Sequence, residues 1–178
     1  MSQSRVSQLA VPVNRNDHID GIDDAPVTLV EYGDYECSYC GGAQRAVKEL
    51  RRTMDDQVRF VFRHFPLSQL HPHAEEAAEA AEAAAAQGKF WEMHDLLFEV
   101  PGEIGETKLR DAAATLDLDL ARFDDDLERH AYRDRVHEDI ISGAQSGVIG
   151  TPTFFINGER YDEQWDATPL RAALEDAM

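Results

Sequence analysis

The sequence lacks the features that mark membrane-spanning, nucleotide-binding and nucleic-acid-binding proteins. None of its apolar runs approaches the length of a membrane span, and it has no Gly-rich phosphate loop or dinucleotide fingerprint, so no cofactor is predicted. It has only three lysines, and 35 acidic residues against 17 lysines and arginines give a formal net charge of −18. Because this charge repels phosphate backbones, we expect no nucleic-acid partner. The short apolar runs predict no membrane span.

The N-terminus and the acidic composition bear on the setting of the protein. The segment MSQSRVSQLAVPVNRND has no apolar region followed by a small-residue cleavage site, so we expect a cytoplasmic protein, or a periplasmic one if the natural chain is longer. The acidic residues are spread along the whole chain. They fit either a well-solvated surface or adaptation to high salt, where ions screen the self-repulsion. A length of 178 residues with 43% hydrophobic content predicts one domain with a sizeable core.

The only two cysteines lie in one stretch, 27–53, where the apolar run VTLVEY is followed by a turn and then by a helical pattern. From Cys40 onward, small or apolar residues recur every three or four positions, which indicates an amphipathic helix beginning near Cys37. The free N–H groups and the dipole of a helix N-terminus stabilise an anion. We therefore expect Cys37 to attack disulfides as a thiolate and Cys40 to resolve the mixed disulfide.

The other patterns predict a βαβ unit, a helical block and a hairpin. Apolar runs at 27–32 and 58–62 predict two parallel strands joined by the first helix, and 9–13 predicts a short edge strand. Helical periodicity extends over 70–146. The segment TFFINGERY is a β-hairpin signal, and a last helix begins near Thr168. The order is strand, helix, strand, helical block, hairpin, helix.

This order, together with the segments EYGDYECSYC and GTPTFFINGERY, resembles the DsbA-type thiol:disulfide oxidoreductases over roughly residues 14–176. The resemblance implies an α/β, thioredoxin-like fold with an inserted helical domain. The implied division is a thioredoxin-like domain of residues 14–69 and 147–178, an inserted helical domain of residues 70–146, and an N-terminal extension of residues 1–13. The resemblance also implies a cis peptide bond between Thr151 and Pro152, beside the cysteines.

Three residues are candidates for catalysis. The resemblance implies that Cys37 and Cys40 form the redox-active disulfide, with Cys37 as the nucleophile. Glu31 lies six residues before Cys37, where members of the wider superfamily have a buried acid that exchanges protons with the second cysteine. Burial raises the pKa of a carboxyl group into a range useful for acid–base chemistry. The alternative for Glu31 is a position at a strand edge that faces water.

Four residues are candidates for substrate binding. The backbone of Thr151, next to Pro152, is predicted to pair with an extended substrate as an added strand. Ser38 and Tyr39 occupy the dipeptide between the cysteines, where DsbA has Pro-His and thioredoxin has Gly-Pro. This dipeptide departs from the family pattern, because it offers no imidazolium next to the attacking sulfur.

The predicted function is disulfide exchange with protein, peptide or small-thiol substrates, reset by a redox partner protein or glutathione, in a direction that the sequence does not fix. Three alternatives stand beside it. One is a purely structural disulfide, although its loop is too small to constrain the unfolded chain much. Another is a thioredoxin-fold module that binds partners without turnover. The third is a zinc module, whose ligands would be Cys37, Cys40, His71 and His73, but the spacing is not that of usual zinc sites, so no metal is predicted.

Overall fold

The structure, a computed structural model, describes residues 8–99 and 104–178, so the predicted extension 1–13 lies partly outside the described residues. Within the described ranges, five strands form one mixed sheet: β1 (His18–Asp20), β2 (Val27–Gly33), β3 (Val58–His64), β4 (Thr153–Ile156) and β5 (Glu159–Tyr161). The order across the sheet is β1-β3-β2-β4-β5. Strands β2 and β3 are parallel, and the other neighbours are antiparallel.

Seven helices surround the sheet in the same described ranges: α1 (Ser38–Thr53), α2 (Ala74–Ala85), α3 (Phe90–Glu99), α4 (Glu106–Thr115), α5 (Leu120–Glu128), α6 (Arg133–Gln145) and α7 (Ala167–Asp176). Helix α1 connects the two parallel strands, and α2 to α6 lie between β3 and β4 in the chain. The thioredoxin-like α/β fold is therefore confirmed, whereas the domain boundaries stay a prediction. None of the described helices is both long and apolar enough to cross a membrane.

The first strand differs from the prediction. Residues 9–13 form no strand, because the carbonyl groups of Val11 and Pro12 accept hydrogen bonds from the buried Arg63 guanidinium instead of from a neighbouring strand. The edge strand beside β3 is β1. It was not predicted from the sequence. Two of its three residues are polar, so the segment shows no apolar alternation. It is held by a non-local contact, the 2.7 Å hydrogen bond between His18 and Glu82.

The two central strands are buried on both faces, as their apolar runs predict. On one face, Leu29 packs in the same apolar cluster as Val47 of α1. On the other face, Val30 packs with Phe155 of β4. Strand β2 ends at Gly33, where a Cβ atom would lie 2.5 Å from the ring of Phe62. This close approach requires glycine directly before the turn that leads into α1.

Candidate active site

Cys37 is the N-cap of α1, so the predicted helix start is confirmed. Its backbone N–H donates to the carbonyl oxygen of Asp34 at 3.1 Å, and its own carbonyl oxygen accepts from the N–H of Gly41, also at 3.1 Å. Both cysteines are free thiols. The Cys37 sulfur lies 3.5 Å from the carbonyl oxygen of Thr151, and the residue is 6% exposed. The attacking sulfur thus sits at a helix N-terminus, beside the loop that carries Pro152.

The surroundings of Cys37 favour its thiolate. A hydrogen bond from the Cys40 thiol, hydrogen bonds from Thr151 and the backbone N–H groups of Cys40 and Tyr39 together lower the pKa of Cys37 to about 5, although burial opposes them. A sulfur with this pKa is largely ionised at neutral pH. The result agrees with the expectation of an anion at the start of α1.

Cys40 has the opposite character. It is fully buried on the inner side of α1, and burial is the largest cause of a pKa well above its ordinary value. Its hydrogen bond to Cys37 and the negative charge of Glu31 raise the pKa further. Cys40 is therefore a neutral thiol at neutral pH, protected from solvent until Cys37 forms a disulfide.

Glu31 lies in the middle of β2 and is only 1% exposed, so the water-facing alternative is wrong. Its neighbours across the sheet are Phe62 of β3 and Phe154 of β4. Neither carboxylate oxygen has a hydrogen-bond partner among the described residues. Burial raises the pKa of Glu31 to about 8; Arg51 lowers it, and the Cys37 thiolate adds to the rise. This carboxyl group is mostly protonated at neutral pH and can exchange a proton near pH 8.

The candidate substrate-binding residues lie on two segments. The peptide bond between Thr151 and Pro152 is cis, the isomer that the resemblance implied, and this loop contacts Cys37. Ser38 and Tyr39 face solvent, and Tyr39 is 69% exposed. The structure thus brings the Thr151 backbone to the attacking sulfur and leaves the dipeptide side chains on the surface.

Two polar residues beside Cys37 were not assigned to the site by the sequence. Asp34 is 2% exposed, and its carboxylate accepts a hydrogen bond from Nδ1 of His71 at 2.7 Å. An aspartate three residues before a helix start is typical of a turn, which is the only signal that marked Asp34. The sequence connected His71 to the cysteines only as a ligand in the zinc alternative, because its contact with Asp34 is between distant segments.

The four ligands of the zinc alternative are not brought together among the described residues. His71 binds Asp34, and His73 lies 3.9 Å from Glu76, so neither histidine joins the cysteines in a ligand set. Among the described residues, the only group of three ligand-type side chains within 4.8 Å of one another is the cluster of His18, His64 and Glu82. There both imidazole Nε2 atoms bind Glu82 Oε1, at 2.7 and 2.9 Å. These are hydrogen-bond lengths, so the cluster is hydrogen-bonded.

Several longer proteins with curated names are similar to this chain. It is 48% identical over 174 residues to the Na(+)/H(+) antiporter NhaA 1 of Salinispora arenicola, a match that covers 97% of this chain and 26% of that protein. The match to the NhaA protein of Herminiimonas arsenicoxydans is 44% identical and covers 89% of this chain and 25% of that protein. The chain spans about a quarter of the length of these relatives. Most of each antiporter thus lies outside the match.

Solved structures share the fold over almost the whole chain. BdbD from Bacillus subtilis has a TM-score of 0.84 at 22% identity, with 96% of this chain and 97% of that chain covered. A thioredoxin-like oxidoreductase from Silicibacter pomeroyi has a TM-score of 0.82 at 29% identity, with 92% and 93% covered. Wolbachia pipientis alpha-DsbA1 has a TM-score of 0.80 at 19% identity, with 95% and 94% covered. These likenesses confirm the fold.

A family profile described as Thioredoxin matches residues 13–176. The match includes the cysteine pair, all five described strands and the helices between β3 and β4. Together with the likeness to the DsbA structures, it confirms the resemblance that the two sequence segments indicated. The chain belongs to the Thioredoxin family and shares the fold of the DsbA structures.

Proposed function

We propose that this protein is a thiol:disulfide oxidoreductase that works through the Cys37 and Cys40 dithiol. The observation that carries the proposal is the asymmetry of the two sulfurs. Cys37 has a pKa of about 5 and is 6% exposed, whereas Cys40 is fully buried and holds its proton. A reactive thiolate above a protected thiol is the arrangement that two-step disulfide exchange requires.

The reaction has two steps. The Cys37 thiolate attacks one sulfur of a substrate disulfide, forms a Cys37–substrate disulfide and releases the other substrate sulfur as a thiolate. Cys40 then loses its proton and attacks the Cys37 sulfur, so that the second substrate sulfur leaves. The substrate has gained two electrons, and the cysteine pair has become a disulfide. The reverse sequence oxidises a substrate dithiol.

Glu31 acts as the proton acceptor for Cys40 in this proposal. Its negative charge raises the pKa of Cys40, which is the interaction expected of two groups that compete for one proton. No hydrogen-bond partner within the described ranges fixes the state of the Glu31 carboxyl group. Its pKa of about 8 lies near the working pH, where general acid–base catalysis is most effective.

Extended polypeptides are the substrates that the surface around Cys37 favours. Three large apolar side chains, Tyr39, Leu70 and Ile149, are between 69% and 87% exposed. Tyr39 lies at the start of α1, Ile149 in the loop before Pro152, and Leu70 in the loop after β3, which is hydrogen-bonded to Asp34 of the turn before Cys37. The Thr151 backbone would pair with the substrate main chain, and the apolar side chains would contact its side chains.

The compartment sets the direction of the reaction. In a cytoplasmic setting, which we propose for this chain, the thiol pool would keep the pair reduced and the protein would act as a reductase. Glutathione or a redox partner protein would then return the oxidised pair to the dithiol. In an oxidising compartment the same chemistry would form disulfides in its substrates.

The test is catalysed reduction of a disulfide-bonded peptide, with glutathione as the reductant. Cys37→Ser should abolish catalysis, because no nucleophile remains. Cys40→Ser should accumulate the mixed disulfide, visible as a covalent adduct by mass spectrometry. If the wild-type protein binds the peptide without reducing or oxidising it, the chain is a binding module and the proposal is wrong.

A further inference from the structure

Asp34 is a buried carboxylate in the turn that carries Cys37. Its oxygens accept hydrogen bonds from the backbone N–H of Glu36 at 2.8 Å, the backbone N–H of Leu67 at 2.9 Å and Nδ1 of His71 at 2.7 Å. Its carbonyl oxygen accepts from the N–H of Cys37 at 3.1 Å. One residue therefore ties the start of α1 to the loop that follows β3.

His71 is the only cationic side chain paired with Asp34 in the described part of the chain. The Asp34 carboxylate is fully buried, and a buried carboxylate needs a partner for its charge. Burial lowers the pKa of His71, but the hydrogen bond and charge of Asp34 outweigh it, and the Cys37 thiolate adds to the rise. The His71 side chain is 25% exposed, so it can exchange its proton with water.

The sequence around Cys37 is poor in positive charge, since residues 31–44 contain no lysine, arginine or histidine. The dipeptide Ser38-Tyr39 contributes none, and the chain carries a net charge of −18. Among the described residues, the titratable groups that act on Cys37 or His71 include three acids and a thiol, Glu31, Asp34, Glu36 and Cys40, and the Arg51 guanidinium acts on Glu31. A cation beside the thiolate would offset these acids.

We propose that His71, held as an imidazolium by Asp34, supplies the positive charge that stabilises the Cys37 thiolate. Asp34 is the positioning residue of this pair, since it orients the imidazole and also holds the turn before the sulfur. The loop after β3 would thus provide the charge that the dipeptide between the cysteines lacks. The inference rests on the proposed function only in taking Cys37 as the attacking sulfur.

The test is the rate of Cys37 alkylation by iodoacetamide in the reduced protein, measured from pH 4 to pH 8 with peptide mapping. His71→Gln should slow alkylation about tenfold below the pKa of Cys37, because an opposite charge nearby favours a thiolate by about that factor or more. His71→Lys should restore most of the rate. An unchanged or faster rate in His71→Gln would overturn the inference.

Asp34→Asn separates the two ways in which Asp34 could act. If Asp34 works through His71, the variant should slow alkylation, and the double variant with His71→Gln should be no slower than His71→Gln alone. If Asp34 acts only as a nearby anion, its loss should speed alkylation, and the inference is wrong. Should Asp34→Asn fail to fold, the partly exposed His71 still decides the matter through its own two variants.

His73→Gln is the matched control. His73 lies two residues beyond His71, is 36% exposed and pairs only loosely with Glu76, at 3.9 Å. The rate of Cys37 alkylation in His73→Gln should stay within about twofold of the wild-type rate, as expected for a surface charge screened by solvent. Alkylation needs no disulfide substrate. Failure of the wild type to reduce a peptide would therefore overturn the proposed function and leave this test unaffected.

Discussion

Two buried glutamates of this protein have pKa values that are shifted in opposite directions. Glu31 in β2 is 1% exposed and Glu82 in α2 is 5% exposed, so burial penalises the charge of both. The pKa of Glu31 is raised to about 8. Burial also acts to raise the pKa of Glu82, but hydrogen bonds from His18 and His64 outweigh it and lower that pKa well below its ordinary range.

The difference lies in the hydrogen-bond partners. Glu82 has two imidazole donors on one oxygen, which fix it as an anion and connect α2 to β1 and β3. Glu31 has no partner within the described residues and stays close to the point of gaining or losing a proton. A buried acid with donors holds a fold together, whereas a buried acid without them is available for chemistry. The following predictions test this contrast.

The largest effect should come from Glu82→Ala. The substitution leaves two histidines without their partner inside the protein, and we expect a loss of about 3 to 5 kcal/mol in the free energy of unfolding at pH 7. Urea unfolding measures it. Glu76→Ala on the same helix is the control, since Glu76 is 38% exposed and should change stability by about 0.5 kcal/mol or less. If Glu82→Ala lowers the free energy of unfolding as little as the control does, the result would contradict a structural role for Glu82.

The free energy of unfolding measured at acidic pH provides a second test of Glu82. Because its folded-state pKa is depressed, its contribution to stability is fully present above the unfolded pKa, about 4.3, and is lost as the pH falls towards the folded value. The unfolding free energies of the wild type and Glu82→Ala should therefore converge below about pH 4. A difference that stays constant down to pH 3 would contradict the assignment.

For Glu31, the contribution to the free energy of unfolding should change with pH in the opposite direction, and Glu31→Gln tests this. Between about pH 4.5 and the folded pKa of about 8, the folded protein binds a proton at Glu31 that the unfolded chain releases. This group's contribution to stability therefore falls as the pH rises, by about 1.4 kcal/mol per pH unit. Glutamine removes the dependence, so the variant should gain stability relative to the reduced wild type from pH 5 to pH 8. Parallel curves would mean that Glu31 is not buried as an acid.

The smallest of the expected effects is kinetic. Glu31→Gln should slow the decay of the mixed disulfide about tenfold to a hundredfold near pH 8, since Cys40 loses its proton acceptor. Formation of the mixed disulfide should change little, because Cys37 is already ionised. Single-turnover mixing with a disulfide peptide resolves the two steps. Equal slowing of both steps would point to a general disturbance of the site.

The sequence predicted the features that depend on local patterns. The apolar run before Cys37, the periodicity after it and the NG turn predicted the central strands, α1 and the hairpin, because each signal lies within a few residues. Glu31 could be proposed as buried because it interrupts an apolar strand. These are the parts of the thioredoxin fold that place Cys37 at the start of α1.

Features that depend on contacts between distant segments were not predicted. Strand β1 is held by β3 and Glu82, not by any alternation of its own residues. Helix α2 carries four glutamates, and composition cannot tell that Glu79 and Glu82 face the interior. The pairing of His71 with Asp34 joins residues 37 positions apart. In each case, the partner that decides the outcome lies on another element.

The most direct test of the central claim is the pH dependence of alkylation of each cysteine in the reduced wild-type protein. Mass spectrometry of the digested protein assigns the label to Cys37 or Cys40. Cys37 should react with a midpoint near pH 5, whereas Cys40 should stay unmodified through neutral pH. Equal rates at the two sulfurs, or a Cys37 midpoint near the ordinary value of about 8.5, would contradict it.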